Sequence, residues 1–138
     1  MAGLDYSELG ARQASERLAA SGIAADIRCA DLFEPPPDWI GAFDVVVWFG
    51  VAEHFEDTGR AIRAAAAYLK PGGLLVTEIP NLAGLNGTLQ RLINRPIYDI
   101  HVPLDAGELA AHHHAAGLDV ERSEYLVPTD FGILNLEN

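Results

Sequence analysis

Cysteine and basic residues are scarce in this sequence of 138 residues, which excludes an internal disulfide and a large cationic surface. The single cysteine, Cys29, cannot form an internal disulfide, which favours a reducing compartment and predicts a cytoplasmic protein. Nine lysine and arginine residues stand against 20 acidic residues, so the net charge is -11 and no cationic stripe is available for phosphates. No apolar run approaches the roughly 20 residues of a membrane-spanning helix. We therefore expect a soluble protein whose main partner is neither nucleic acid nor a membrane.

Strand-like and helix-like segments alternate along the chain. In segment 43–49, the continuous apolar run after Asp44 is typical of a strand buried on both faces, and Ile62, Ala65 and Leu69 recur at helical spacing. Strands are predicted near residues 2–5, 27–31, 43–49, 74–79 and 118–125, with helices near 8–20, 62–69, 85–93 and 105–117. This alternation predicts an α/β fold with a doubly wound, mostly parallel sheet.

Local signals mark where two of these helices begin. Ser7 stands in the N-cap position before the first helix, and Asp105 with Glu108 forms a capping-box pair before the last. Gly22 and Gly117 follow the same two helices and are typical of helix ends.

Two aspartates end neighbouring predicted strands. In parallel sheets, ligands bind beyond the carboxyl ends of the strands, so Asp5 and Asp31 are candidates for contact with a ligand. A carboxylate at Asp5 can accept both hydroxyl protons of a ribose, although a helix-capping aspartate is an equal alternative. Asp31 precedes two apolar residues that can clamp a purine, although a solvated loop aspartate fits the same pattern.

Four motifs in one order strengthen the interpretation. The motifs are Asp5-Tyr6-Ser7, Asp31-Leu32-Phe33, the block from Phe43-Asp44 to Glu53-His54-Phe55, and the turn Lys70-Pro71-Gly72-Gly73. Each motif is weak alone, but the order is specific. By these motifs, residues 2–125 resemble small-molecule class I S-adenosylmethionine-dependent methyltransferases, especially the group that includes ubiquinone-biosynthesis O-methyltransferases.

The resemblance implies a Rossmann-like fold, S-adenosyl-L-methionine as cofactor and a small-molecule methyl acceptor. By the same resemblance, Asp5 binds the cofactor ribose and Asp31 meets the adenine amino group. The residues implied to contact the cofactor are Asp5, Tyr6, Asp31, Leu32, Trp48, Phe49 and Gly50.

Two histidines are the candidate catalytic bases. His54 and His101 match positions where the family often has histidine, and imidazole is the side chain best suited to take a proton near neutral pH. A packing or loop-bonding role fits both residues equally well. Segment 81–100 falls where the family covers its substrate, so Leu85, Leu89 and Leu92 line an acceptor pocket or belong to the core.

We predict no metal site from the sequence. Consecutive residues on a helix point about 100 degrees apart, so His112–His114 do not converge on one ion, and we expect a solvated helix face there. The acidic residues Glu53, Glu56 and Asp57 resemble a metal cluster of catechol-type methyltransferases. A helix start enriched in acids accounts for Glu56 and Asp57 without a metal ion.

The sequence departs from the family pattern in the residues before Asp5. Family members carry a strand and a Gly-x-Gly-x-Gly loop before the position of Asp5, and only residues 1–4 stand there in this sequence. That strand lies inside the family's sheet, so we expect a gap between the strands ending at Asp5 and Phe49, and weak cofactor binding by residues 1–138 alone. We interpret residues 1–138 as one partial methyltransferase domain that lacks the first strand and the last.

Three alternatives stay open at this point. A short chain of this kind can complete its sheet by pairing with another chain. It can also be a non-catalytic Rossmann-like binding module that has lost cofactor affinity. A nicotinamide-dependent oxidoreductase shares the sheet and the acidic strand end, but it does not account for the Glu53-His54 block.

Overall fold

The computed structural model describes residues 1–126, in which short parallel strands alternate with helices. Two 3-10 turns, Pro37–Trp39 and Ala52–His54, precede the third strand and the second helix, respectively. The strands are β1 (Ala2–Asp5), β2 (Asp26–Cys29), β3 (Phe43–Phe49) and β4 (Leu69–Glu78). The helices are α1 (Glu8–Ala20), α2 (Thr58–Ala66), α3 (Leu85–Ile93), α4 (Arg95–Asp99) and α5 (Ala106–Ala115).

The strands form two separate parallel pairs. β1 pairs with β2, with Asp5 opposite Cys29, and β3 pairs with β4, with Phe49 opposite Glu78. Within residues 1–126, no ladder joins one pair to the other. The parallel α/β class predicted from the sequence is confirmed, and the separation of the two pairs within residues 1–126 agrees with the gap that the resemblance implies.

Helices α1 and α5 begin and end at the residues that the local signals indicated, whereas the helix predicted at 62–69 is α2, Thr58–Ala66, and Leu69 begins β4. The Ser7 side chain accepts a hydrogen bond from the Gly10 amide, and Asp105 and Glu108 form the reciprocal capping box of α5. Gly22 and Gly117 have φ angles of +71° and +86°, the left-handed region that glycine enters without steric cost.

The strand predicted at 118–125 is wrong. These residues form no ladder, and they face β4 across a cleft that both segments line. A β-strand exists only where a neighbouring strand satisfies its backbone groups, and the apolar pattern of 118–125 carries no information about whether that neighbour is present. The segment is held by isolated bonds instead, such as the Leu118 amide donating to the His113 carbonyl at 3.1 Å and Ser123 Oγ donating to the carbonyl of Ala106 at 2.7 Å.

The prediction that β3 is buried on both faces is also wrong. Val45, Val47 and Phe49 each expose more than half of their surface, whereas Trp48 on the opposite face is buried. The buried face packs against α2, where Ala61 and Ile62 are fully enclosed. The run is continuous in sequence, but only one of its faces meets a helix layer.

β4 begins five residues earlier than the predicted strand. Phe43 pairs with Leu69 and Val45 pairs with Leu74, so the motif Lys70-Pro71-Gly72-Gly73 forms a bulge inside the ladder. Gly72 has a φ of +77°, which only glycine tolerates well. Among residues 1–126, no helix has both the length and the apolar character to cross a membrane.

Candidate functional site

Asp5 and Asp31 lie beyond the carboxyl ends of paired parallel strands. Asp5 is the last residue of β1, and the backbone amide of Ala30 donates to its carbonyl at 2.9 Å just after β2 ends. Asp31 follows one residue later. Among the residues that the structure describes, neither carboxylate takes part in an ion pair, so both keep oxygens available to hydroxyl or amino donors.

The turn between β1 and α1 holds the Asp5 carboxylate in place. The Ser7 amide donates to Asp5 Oδ1 at 2.8 Å, and Oδ2 lies so close to Gly10 that a Cβ on Gly10 would overlap it. Gly10 was not among the residues predicted from the sequence. The signal that identifies it is a glycine inside the first turn of a helix, where its low helix propensity indicates a packing reason.

We expect Gly10→Ala to displace the Asp5 carboxylate. The added methyl group improves helix propensity by up to about 1 kcal/mol, but it occupies the space of Asp5 Oδ2. Thermal stability should therefore change little while the Asp5 rotamer changes, which a carbon-detected NMR spectrum of the aspartate carboxyl groups can measure. Gly107→Ala in α5 is the control, and an unchanged Asp5 signal in Gly10→Ala would contradict the expectation.

The Asp31 side chain organises the loop that follows β2. Its Oδ1 accepts the Phe33 amide at 2.8 Å, and the Tyr68 hydroxyl donates to the Leu32 carbonyl at 3.4 Å. Burial raises the pKa of Tyr68, and the negative charge of Asp31 acts in the same direction. Tyr6, which follows β1, exposes 87% of its surface and is free to cover a ligand.

The loops after β2 and β3 meet at one edge of the molecule. The rings of Phe33 and Phe55 contact edge to face with centroids 5.5 Å apart, and the Arg60 guanidinium lies 4.1 Å from the centre of the Phe33 ring. The carboxyl ends of both strand pairs therefore share this edge, and Leu32 packs against the common core beneath it.

The three candidate cofactor-binding residues at the end of β3, Trp48, Phe49 and Gly50, lie in different environments. Trp48 lies in the core, with Nε1 donating to Thr77 Oγ1 at 2.6 Å, whereas the Phe49 side chain is exposed on the other face. Gly50 has a φ of +65°, and its amide donates to the Glu78 carbonyl at 2.9 Å. Phe49 and Gly50 thus lie at the rim, and a cofactor role for Trp48 stays a prediction.

The two candidate bases come together with a buried carboxylate. The rings of His54 and His101 have centroids 4.5 Å apart, and one ligand atom from each of Glu53, His54 and His101 lies within 4.8 Å of the others. Glu53 is only 2% exposed. Burial raises the pKa of its carboxyl group, and a backbone hydrogen bond and the two histidines oppose that change.

A cleft of about 1100 Å³ opens beside this cluster along β4. Its lining includes Phe49, Gly50, Glu53 and His101, and Leu85 of α3 contributes from the opposite side. Of the other two candidate pocket residues, Leu92 is 76% exposed and Leu89 is half-buried outside the lining.

Asp57 and His113 have local partners. Asp57 is the N-cap of α2 and accepts the Arg60 amide at 2.8 Å, as a helix start predicts. The expected solvated face of α5 is wrong for His113, because its ring nitrogens contact the Leu109 carbonyl at 2.8 Å and Thr77 Oγ1 at 2.8 Å. His112 lies against Gly59 of α2, whereas His113 contacts Thr77 of β4, so these two rings point at different elements.

A parallel α/β layout with acidic residues at the strand ends is typical of a site for a nucleotide-like ligand. Sequence comparison identifies the class of protein. The family model described as a methyltransferase domain matches residues 1–77, which is more than half of the chain. The chain therefore belongs to the methyltransferase domain family. Membership implies a methyl-donor cofactor.

Curated relatives and solved structures agree with this assignment. The ubiquinone biosynthesis O-methyltransferase of Pseudomonas aeruginosa is 30% identical over 128 residues, 86% of this chain and 55% of the relative. The protein of the same name from Caulobacter sp. strain K31 is 35% identical over 89 residues, 64% of this chain and 33% of the relative. The chain thus spans a third to about half the length of these relatives.

Two solved structures have the same fold. The YcgJ protein of Bacillus subtilis superposes with a TM-score of 0.64 at 22% identity, covering 83% of this chain and 50% of that protein. The [4+2]-cyclase SpnF superposes with a TM-score of 0.63 at 22% identity, covering 84% of this chain and 41% of that protein. At this identity the likeness shows the fold alone, and the cyclase illustrates that one fold hosts different chemistry.

Proposed function

We propose that this chain forms the nucleoside-binding and methyl-transfer part of an S-adenosylmethionine-dependent methyltransferase that acts on a hydroxyl group of a small molecule. The observation that carries the proposal is the placement of Asp5 and Asp31 beyond adjacent parallel strands in a chain of the methyltransferase domain family. The names of the curated relatives support oxygen as the methyl acceptor.

The two aspartates fit the two ends of a nucleoside. Asp5 Oδ1 already accepts the Ser7 amide, so the ribose hydroxyls would donate mainly to Oδ2, which faces Gly10. Asp31 is exposed, and an adenine amino group can donate to it while Leu32 contacts one face of the ring. Tyr6 is free to cover the nucleoside, and Phe49 and Gly50 border it at the end of β3.

The second requirement of the reaction is a group that takes the proton from the acceptor hydroxyl. S-adenosylmethionine supplies a methyl group that is already activated on a positively charged sulfur, so alignment dominates the catalysis. The acceptor oxygen gives its proton to a base as its lone pair forms the bond to the methyl carbon and the carbon-sulfur bond breaks. We assign this base to the pair His54 and His101, which lies at the end of β3 beside the cleft.

The test is calorimetric titration with S-adenosylhomocysteine. The titrated protein is a fusion that places before this chain a strand and a glycine-rich loop of the kind that the family resemblance implies. Asp5→Asn keeps an oxygen for the Ser7 amide but removes the charge that strengthens the hydrogen bonds from a ribose. We expect it to weaken binding by about 1 to 3 kcal/mol, a factor of roughly 5 to 150.

Asp44→Asn is the matched control for this substitution. Asp44 is an exposed aspartate at the opposite end of β3, where it pairs with Lys70 at 2.9 Å, so its loss should leave the affinity unchanged. Equal affinity of Asp5→Asn and the unsubstituted fusion would remove Asp5 from the site. Binding of NAD in preference to S-adenosylhomocysteine would overturn the proposed function itself.

A further inference from the structure

The Glu53 side chain is buried without enough hydrogen-bond partners. The residue is 2% exposed, and no described residue donates a hydrogen bond to its Oε2. A buried carboxylate is stable only when it is protonated or paired with a cation or strong donors. One carboxylate oxygen of Glu53 and one ring nitrogen each of His54 and His101 lie within 4.8 Å of one another, so these nitrogens are potential partners of the carboxylate.

The orientation of His101 leaves one ring nitrogen available. Its Nδ1 lies 2.6 Å from the carbonyl oxygen of Ile97, which can only accept, so Nδ1 carries the proton. Nε2 then has its lone pair free, and this division of the two nitrogens is the usual one for a metal-binding histidine. The Val102 amide donates to the Glu53 carbonyl at 2.6 Å, which fixes the His101 loop against the Ala52–His54 turn.

We propose that Glu53, His54 and His101 bind one divalent transition-metal ion. Two imidazoles and one carboxylate suit Zn²⁺ or its first-row neighbours better than Mg²⁺, which prefers oxygen ligands throughout. Ligand atoms around a tetrahedral zinc ion at about 2.1 Å are roughly 3.4 Å apart. The exposed His54 side chain can rotate to close the remaining distance. This inference departs from the sequence-based expectation that the chain has no metal site.

Three protein ligands leave one position open on a tetrahedral ion. Glu53 and His101 also line the cleft, so the open position would face it, and a methyl acceptor that enters the cleft could bind there. An acceptor hydroxyl bound there would lose its proton more easily, because a metal ion lowers the pKa of a bound hydroxyl group. With zinc bound, the two histidines would be ligands, and the acceptor proton would pass to water in the cleft; the role of base proposed above applies to the chain without zinc. Zinc binding itself does not depend on the proposed function.

The experiment is calorimetric titration of zinc chloride into the metal-free chain at neutral pH. We expect one ion per chain with a dissociation constant in the micromolar range or lower, and at least tenfold weaker binding in both Glu53→Gln and His101→Ala. Glu53→Gln keeps the size of the side chain, so thermal melting of this variant separates lost binding from lost folding. In NMR spectra, the ring signals of His54 and His101 should shift together with added zinc.

His114→Ala is the matched control. His114 is an exposed histidine of α5 outside the cluster, and its loss should leave zinc affinity unchanged. The proposal is overturned if the chain takes up no zinc at micromolar concentration, if binding survives in both Glu53→Gln and His101→Ala, or if it is lost in His114→Ala. The zinc titration contains no cofactor. Its failure would therefore leave the proposed function untouched, and failure of the S-adenosylhomocysteine titration would leave the zinc proposal untouched.

Discussion

Ile62→Ala should destabilise the chain by about 2 to 5 kcal/mol, the usual range for emptying a fully enclosed aliphatic site. Ile62 has no exposed surface, and it packs with Trp48 and Ala52 in the core beneath the Ala52–His54 turn. The substitution removes three carbon atoms from that space, and the neighbours can fill it only by moving the turn that carries Glu53. Urea unfolding with an unchanged m-value measures the loss.

Ile93→Ala is the matched control for Ile62→Ala. Ile93 is also an isoleucine in a helix, but it is 46% exposed at the end of α3. We expect its truncation to change the free energy of unfolding by about 1 kcal/mol or less. Equal losses in the two variants would show that the core is not centred on Ile62.

Features that depend on neighbouring residues were predictable from the sequence. Ser7 begins α1, Asp105 and Glu108 form the capping box of α5, and Gly22 and Gly117 end helices, because each signal acts within one helical turn. The shared edge of Asp5 and Asp31 was also predictable, since alternating strands and helices give parallel strands whose carboxyl ends lie together.

Features that depend on distant partners were not predictable. The segment 118–125 has the composition of a strand but no strand beside it among residues 1–126, and the exposed face of β3 has the same apolar composition as a buried one. Glu53 and His101 are far apart in sequence, and the hydrogen bond from the Val102 amide to the Glu53 carbonyl brings their side chains near each other. Such contacts follow from packing and not from a local pattern.

Gly87→Ala should destabilise the chain by about 1 to 3 kcal/mol despite the higher helix propensity of alanine. A Cβ at Gly87, in the first turn of α3, would overlap the backbone carbonyl group of Leu82. A backbone group cannot rotate aside as a side chain can, and Leu82 is itself 6% exposed, so the helix has to move away from the loop. Because Leu82 and Leu85 line the cleft, the shift should also change its shape.

Gly59→Ala separates this clash from the general effect of replacing a helical glycine. Gly59 lies in the first turn of α2, and a Cβ there would meet its nearest neighbours at 3.5 Å, an ordinary van der Waals distance. We expect Gly59→Ala to leave stability unchanged or raise it by up to about 1 kcal/mol. Thermal and urea unfolding of both variants measure the difference, and amide chemical shifts of 81–86 report movement of the loop. If Gly87→Ala is as stable as Gly59→Ala and these shifts do not change, α3 does not pack on the Leu82 backbone.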